Sequence, residues 1–438
     1  MKMASAPRVI VAGGGPIGLY TAHALARANI DYVILEQQPE IVRYKGAGVV
    51  LLPQTARLCD QIGLFERIEE LSVRLHKKTN SLLNGQFLCS FRLFDTMEES
   101  HGYPTFGLSR SQLIETLYET LPGRESRIKT NARVIDIETH ASGVRVHLAD
   151  GSIEEGSIII GADGAHSRTR DIMDRLIRES TDGVANREPY PMVTHFKAVF
   201  GRAPVPEGVE KGHFYESHGT GVASQTVPGD EFTYFCILRA LPTPTTARRR
   251  YSDKELEEEV KSFADLHLFP GIRFEEIWKT CKRDEVSLVH LEEGIIDKWH
   301  FGRIVLLGDS VHKLTPISGM GVNIGMQSAA VLVNQLNDIV SSKSDLSNEA
   351  LEKAFDSYQS TQEPVCREMC MQGETMTRLV TWNSWMAWLF DRYVVPWMDL
   401  EGKIKSQITP VVSNTHILDY VPFEGKVGEV PWMSVPKA

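Results

Sequence analysis

Three glycine-bearing turns, each directly behind a short apolar run, hold the residues of this chain best suited to chemistry. The first is Gly13-Gly14-Gly15-Pro16-Ile17-Gly18, behind Arg8 to Ala12. It satisfies G-x-G-x-x-G: Gly13 permits a tight turn, Gly15 lets backbone approach a pyrophosphate, and Gly18 permits close packing of helix on strand. A helix opening there would aim its positive N-terminus at the phosphates. Glu36 ends a second apolar run, 23 residues after Gly13, where an acid accepts hydrogen bonds from ribose hydroxyls.

The second turn is Gly161-Ala162-Asp163-Gly164, running on through His166, Ser167, Arg168 and Arg170. An Asp in a glycine turn after a buried strand can also simply cap the next helix. The third is Gly308-Asp309-Ser310-Val311-His312-Lys313, continuing to Gly319-Met320-Gly321-Val322-Asn323. Gly319 and Gly321 make a flexible turn whose backbone N–H groups could face an anion or an electron-rich ring.

The elements that must position these turns follow from periodicity. Residues 8–12 and 32–36 read as buried strands around a helix over 19–28, a βαβ unit. Leu113, Leu117 and Leu121 mark an amphipathic helix over 109–121. Residues 133–138 and 144–148 read as a strand pair closed by the turn Ala149-Asp150-Gly151. Residues 157–160 and 304–307 are further buried strands. Between about 185 and 290 the pattern changes to polar alternation, as at 194–200, 221–227 and 233–238, which predicts an antiparallel sheet. A helix is expected from about Gly325, and a mostly helical tail from 350 to Trp397, irregular beyond.

Composition narrows the classes. A chain of 438 residues with 42% hydrophobic and 24% charged residues is ordinary for a soluble protein that buries a large cofactor. A net charge of −10 without a basic stripe excludes a nucleic-acid partner. Arg248-Arg249-Arg250, followed by the acidic stretch 255–259, reads as a solvated loop entering a helix. Six scattered cysteines with no C-x-x-C pair indicate neither zinc nor a disulfide framework, and a reducing compartment. No signal peptide opens the sequence. The segment 381–397 carries Trp382, Trp385, Trp388 and Trp397, but Asp391, Arg392 and Pro396 interrupt it. A spanning helix is therefore not expected. A buried or partner-facing helix is preferred over an interfacial one, leaving a cytoplasmic protein with at most weak contact to a membrane surface.

The three turns in this order and spacing resemble the FAD-dependent monooxygenases of the para-hydroxybenzoate hydroxylase class, from about Arg8 to Leu332. Two further stretches are similar to the paxilline-type monooxygenases of fungal secondary metabolism, which oxidise prenylated indoles and meroterpenoids: 28–36 and 308–313, with the Trp-bearing 378–382. Two departures stand out: Gln327-Ser328 replaces a usual acid, and the C-terminal membrane helices of many relatives are not seen. The resemblance implies α/β plus α+β architecture. A Rossmann-type, glutathione-reductase-like FAD domain would span 1–184 and 291–345, with an inserted antiparallel substrate sheet at 185–290 and a helical region at 346–438.

By the same resemblance Glu36 holds the adenosine ribose. Arg110 lies near the FAD phosphates, and Asp163 near the pyrophosphate with a contact to NADPH. Asp309 holds the ribityl chain, Gly321, Val322 and Asn323 line the isoalloxazine, and Gly46 to Val50, with Gly48 and Val50, forms the loop beside it. NADPH would reduce the flavin, O₂ would add, and a flavin hydroperoxide would deliver oxygen to an electron-rich carbon of an apolar small molecule, without metal. No second G-x-G-x-x-G exists for NADPH, so the nicotinamide docks transiently. On the middle sheet, His195, Lys197, His213 and Tyr215 are the polar side chains of interest. Tyr215 and His195 are the catalytic candidates, Tyr215 as acid/base or orienting group, and His312 is structural. Alternatives are hydroxylation of a phenolic or polyketide ring, a flavin reductase or halogenase (whose further Trp motif is not found), and a non-catalytic FAD-binding protein.

Overall fold

The computed structural model describes residues 7–44, 47–180, 192–342 and 346–437. A six-stranded sheet forms the first layer, in the order His300–Phe301, Ile304–Leu306, Ile158–Gly161, Arg8–Ala12, Asp31–Leu35, Ile128–Lys129. All neighbours are parallel except the first pair. These strands are short and almost wholly apolar because both faces are covered. Register then does the essential work. Ala12 pairs with both Gly161 and Leu35, and Gly161 pairs with Leu306. The three glycine turns and Glu36, far apart in sequence, therefore leave the sheet side by side at one end, where α/β folds place ligands.

The helix Pro16–Arg27 begins directly after Gly15. The 21-residue helix Gly321–Ser341 starts four residues before the expected Gly325 and packs across it, with Gly325 so close to Ile17 that a Cβ would meet its side chain at 2.5 Å.

The second layer is an eight-stranded sheet: His312–Lys313, Ser287–Ile295, Val193–Pro204, Phe232–Thr245, Val222–Pro228, His213–Gly219, Lys77–Leu82 and Phe87–Phe91. It is antiparallel apart from the pairing of His213–Gly219 with Lys77–Leu82. The expected span of 185–290 therefore falls short. Two strands come from 77–91, and the third turn donates His312–Lys313, pairing with Gly294 and Ile295. Such long-range pairing leaves no local trace in sequence. The expected boundary at 184/185 and Gly46 lie outside the described residues.

Alternation splits this sheet into two faces. On one, Val199, Tyr215, Phe235 and Ile237 pack with Phe263, Phe269 and Phe274. On the other, Phe196, Ala198, Ala223, Cys236 and Leu238 meet Ile317 of the third turn and Val380 of the 33-residue helix Asn348–Val380.

Beyond Trp397, where irregular chain was expected, short helical turns continue to Ser413. The rest of the tail lies back on the first layer, held by Gln61 Nε2 donating to the Leu418 carbonyl at 2.6 Å and Asn334 Nδ2 to the Ile417 carbonyl at 2.8 Å. All six cysteines are buried free thiols. Among the described residues no helix is long and apolar enough to cross a membrane. Of the two alternatives expected, buried or partner-facing, the helix Trp385–Tyr393 is not the buried one: only Asp391 in it is buried, while Trp385 is 71% and the following Trp397 89% exposed.

Candidate active site

Gly13 adopts φ +110°, and a Cβ there would stand 2.4 Å from the Ala162 carbonyl, so only glycine fits between the first and second turns. Its N–H donates to the Leu35 carbonyl at 2.8 Å. Gly14 N–H donates to Glu36 Oε2 at 2.8 Å and Gln38 N–H to Oε1 at 2.9 Å, which fixes this buried carboxylate beside the turn. At Gly15 the nearest atom to a Cβ would be the Arg110 guanidinium, at 4.0 Å. No side chain caps the helix behind it, whose first residue, Pro16, has no N–H to satisfy. Gly18, by contrast, is a packing glycine: its Cβ would fall 2.0 Å from the Gly13 carbonyl.

The cleft above these turns measures about 1170 Å³ with its open mouth and is lined by Gly13 to Gly15, Glu36, Arg43, Arg110, Asp163 and His166, among others. Arg110 opens a helix whose start is set by a capping box between Ser109 and Gln112. Arg110 and Asp309 lie deep in the molecule yet keep their side chains exposed, as groups lining a channel do. Burial lowers the Arg110 pKa, and Asp309 and Glu36 oppose that while Arg43 adds to it. Burial raises the Asp309 carboxyl, and Arg110 opposes it. Arg110 and Asp309 thus share one electrostatic field.

Two of the expected cofactor-side residues also carry structural bonds. Both oxygens of Asp163 are taken: Oδ1 accepts from Ser167 Oγ at 2.5 Å, and Oδ2 from Thr169 N–H at 2.9 Å and Thr169 Oγ at 3.0 Å. It ties down the start of the helix Arg168–Ser180, so the capping reading holds for this carboxylate. Asn323, fully buried, accepts from Leu52 N–H at 2.9 Å and donates to the carbonyls of Val50 at 2.9 Å and Gly319 at 2.7 Å. Its amide is a staple joining the strand Gly48–Leu51 to the turn before Gly321. Gly48 is required by contact, since a Cβ would reach 2.8 Å from Tyr234 Cβ. Gly319 sits at φ +65°, and nothing lies within 4 Å of a Cβ on Gly321, so the helix start at Gly321 and Val322 is open.

The catalytic candidates do not join this group. Tyr215 lies on the far face of the sheet, its ring edge-on to Phe269 at 5.0 Å, with burial raising its pKa. Lys197 pairs with Glu259, and His213 stands 3.3 Å from Glu210. His195 is half-buried at a β-bulge between Thr194 and Phe196, where neither neighbouring strand supplies a partner. His312 is buried and uncharged, pushed down to about 4 by desolvation, as a structural residue is.

What the cofactor-side face does carry is a buried polar cluster that residue-by-residue reading missed. Glu216 accepts from Lys78 Nζ at 2.7 Å, from His218 Nε2 at 2.9 Å and from Gln225 Nε2 at 2.7 Å. His218 Nδ1 meets Asp391 at 2.8 Å. The available signal was Glu216-x-His218, two ionisable residues two apart on one face of a strand otherwise rich in buried positions.

The chain belongs to the FAD binding domain family, whose model matches residues 7–372. It is an FAD-dependent monooxygenase of the class that the three turns resemble. It is 43% identical to the FAD-dependent monooxygenase srdH of Neurospora crassa, over 97% of this chain and 98% of that one. It is 34% identical to the FAD-dependent monooxygenase ausM of Penicillium brasilianum, over 96% and 88%. The fold matches Klebsiella pneumoniae HpxO complexed with FAD and uric acid (TM-score 0.76, 20% identity, 94% and 97% covered). It also matches 2,6-dihydroxypyridine-3-hydroxylase from Arthrobacter nicotinovorans (TM-score 0.66, 18% identity, 87% and 95% covered).

Proposed function

We propose that this enzyme uses NADPH and O₂ to oxygenate an electron-rich carbon of an apolar natural-product intermediate, of the prenylated-indole or meroterpenoid kind, by epoxidation or hydroxylation. The observation that carries the reading is the convergence of Gly15, Glu36 and Arg110 on one cleft at the end of the parallel sheet, with Asp309 near enough to act on Arg110 and the helix Gly321–Ser341 packed on Ile17 at Gly325. The donor set suits FAD. Glu36 would hold the adenosine ribose, the uncapped N–H groups after Gly15 with Arg110 the phosphates, and Asp309 the ribityl hydroxyls. The N–H groups of Gly321, Val322 and Asn323 would face the electron-rich edge of the ring. FAD bound there supplies the redox chemistry.

The reading of NADPH as reductant rests on charge beside the cleft. Arg248 stands 3.6 Å from Asp171, next to the second turn, in the exposed loop that enters the helix Asp253–Ser262, as expected. With Lys313, Arg170 and Arg250 it surrounds His166, whose pKa burial lowers first and these cations lower further. Although Arg248 and Lys313 are paired with Asp171 and Glu292, this group of cations suits an anionic dinucleotide in a protein of net charge −10. The apolar substrate rests on the resemblance to the paxilline-type monooxygenases, with the buried apolar residues Phe196, Ala198, Cys236 and Leu238 packed behind Ile317 of the third turn. In the cytoplasm, the exposed Trp385, Trp388, Tyr393 and Trp397 would rest against a membrane surface, where such a substrate partitions. The test is incubation of the holoenzyme with NADPH or NADH, ¹⁸O₂ and a panel of prenylated indoles, terpenoids and phenols. The expected result is a product heavier by one labelled oxygen, favouring NADPH. NADPH oxidation that no member of the panel accelerates, with no labelled product, overturns the substrate reading.

A further inference from the structure

Glu216 and His218 are each 1% exposed, and Asp391, Lys78 and Gln225 are buried with them. Burying three ionisable groups on one sheet face, with a fourth, Asp391, brought to them by the helix Trp385–Tyr393, costs desolvation that a packed apolar set would avoid. The arrangement has a direction. Lys78 and His218 hold Glu216 well below the usual carboxylate range despite its burial. The ionised Oε2 accepts from Gln225, and the same Gln225 Nε2 donates to the Ile317 carbonyl at 2.8 Å. Both neighbours are acceptors, so the amide can turn only its nitrogen toward them. Ile317 belongs to the turn Pro316–Ser318, which leads through Gly319 to the open helix start at Gly321. At the other end Asp391 accepts from His218 and from Trp382 Nε1 at 2.8 Å.

We propose that Gln225, held by ionised Glu216, is a positioning residue of the monooxygenase: it fixes the Ile317 carbonyl and so the placement of the Gly319–Gly321 turn against the flavin ring. This rests on the reading that the ring lies at that turn. Glu216 orients the amide, Lys78 and His218 keep Glu216 charged, and Asp391 with Trp382 anchors His218 from the C-terminal region. None of these groups exchanges a proton with substrate in this scheme. Their role is to hold one backbone carbonyl.

The experiment compares Gln225→Leu with wild type, with Tyr215→Phe as a control on the opposite face and Gly321→Val as a probe of the turn itself. Three quantities are read: the visible absorption spectrum of the bound flavin, the FAD dissociation constant from flavin fluorescence, and the thermal midpoint of the cofactor-free protein. Gln225→Leu is expected to shift the flavin bands and weaken FAD about tenfold, the scale of one positioned hydrogen bond. Tyr215→Phe should leave the spectrum unchanged. Should Gln225→Leu be insoluble, Gln225→Met, unbranched and of similar length, carries the same comparison. If Gly321→Val shifts the spectrum and the Gln225 variant lowers only the thermal midpoint, Gln225 is a packing residue and the proposal is wrong. If Gly321→Val also leaves the flavin bands unchanged, the ring does not lie at this turn, and both readings fall.

Discussion

Asn323→Ala removes three hydrogen bonds in one step. The side chain is wholly buried, and its loss orphans the Leu52 N–H and the carbonyls of Val50 and Gly319. At about 0.5–1.5 kcal/mol for each bond, the expected loss is roughly 1.5–4.5 kcal/mol, a large share of a typical domain's margin of about 5–15. At about 2.1 cal/mol/K of unfolding entropy per residue, a chain of 438 residues shifts by about 1 °C per kcal/mol, so the thermal midpoint of the cofactor-free protein should fall by roughly 2–5 °C. Because the staple joins the strand Gly48–Leu51 to the helix at Gly321, FAD affinity should fall at least tenfold as well. Asn323→Asp separates this from a simple volume effect. It keeps the acceptor for Leu52 but turns an oxygen toward two carbonyls, so it should be at least as damaging as Ala despite near-identical shape. Differential scanning fluorimetry and a fluorescence titration with FAD measure both quantities. A midpoint within about 1 °C of wild type, with unaltered FAD affinity, would refute the staple.

Asp309→Ala should lose about 1.5–3 kcal/mol of FAD binding, read as faster FAD release on dilution, if its carboxylate holds the ribityl chain. Tyr215→Phe should leave the ratio of oxygenated product to hydrogen peroxide unchanged, since that ring packs on Phe269 away from the cleft; a lowered ratio would restore it as a catalytic residue. Asp163→Ala should cost about 1–2 kcal/mol of stability through the uncapped helix, seen in denaturant midpoints before and after adding FAD. Burial opposes charge on His218, but the bonds to Asp391 and Glu216 win and raise its pKa above the ordinary value. Its stabilisation is therefore fully present below about pH 6.5, the unfolded value, and is lost as pH rises through the folded one. The midpoint difference between wild type and His218→Gln should shrink with rising pH across that window; a constant difference argues against a charged His218.

Much of the cofactor cleft is legible in the chain because its demands are local. A turn at φ +110° against a carbonyl admits glycine alone, a strand covered on both faces must be apolar throughout, and both requirements write themselves into a few consecutive residues. The face of the sheet was not legible in the same way. Alternation says that Tyr215 and Glu216 point oppositely, but not which of them looks toward the third turn; that depends on what packs against each side. Nor could the partners be read. Lys78, Glu216, Gln225 and Asp391 meet only because strands 77–82 and 213–219 pair in parallel and the C-terminal chain returns to the sheet. Asp163 and Asn323 show the same limit in single residues. Their positions in the motifs were evident, yet the bonds that each carboxylate or amide makes within the protein appear only in the fold. Sequence by itself determined where a dinucleotide-binding end must form, since backbone conformation is a local property. Tertiary structure alone decided which polar side chains remain free to serve it, since every buried donor and acceptor must first be satisfied by neighbours that only the fold supplies.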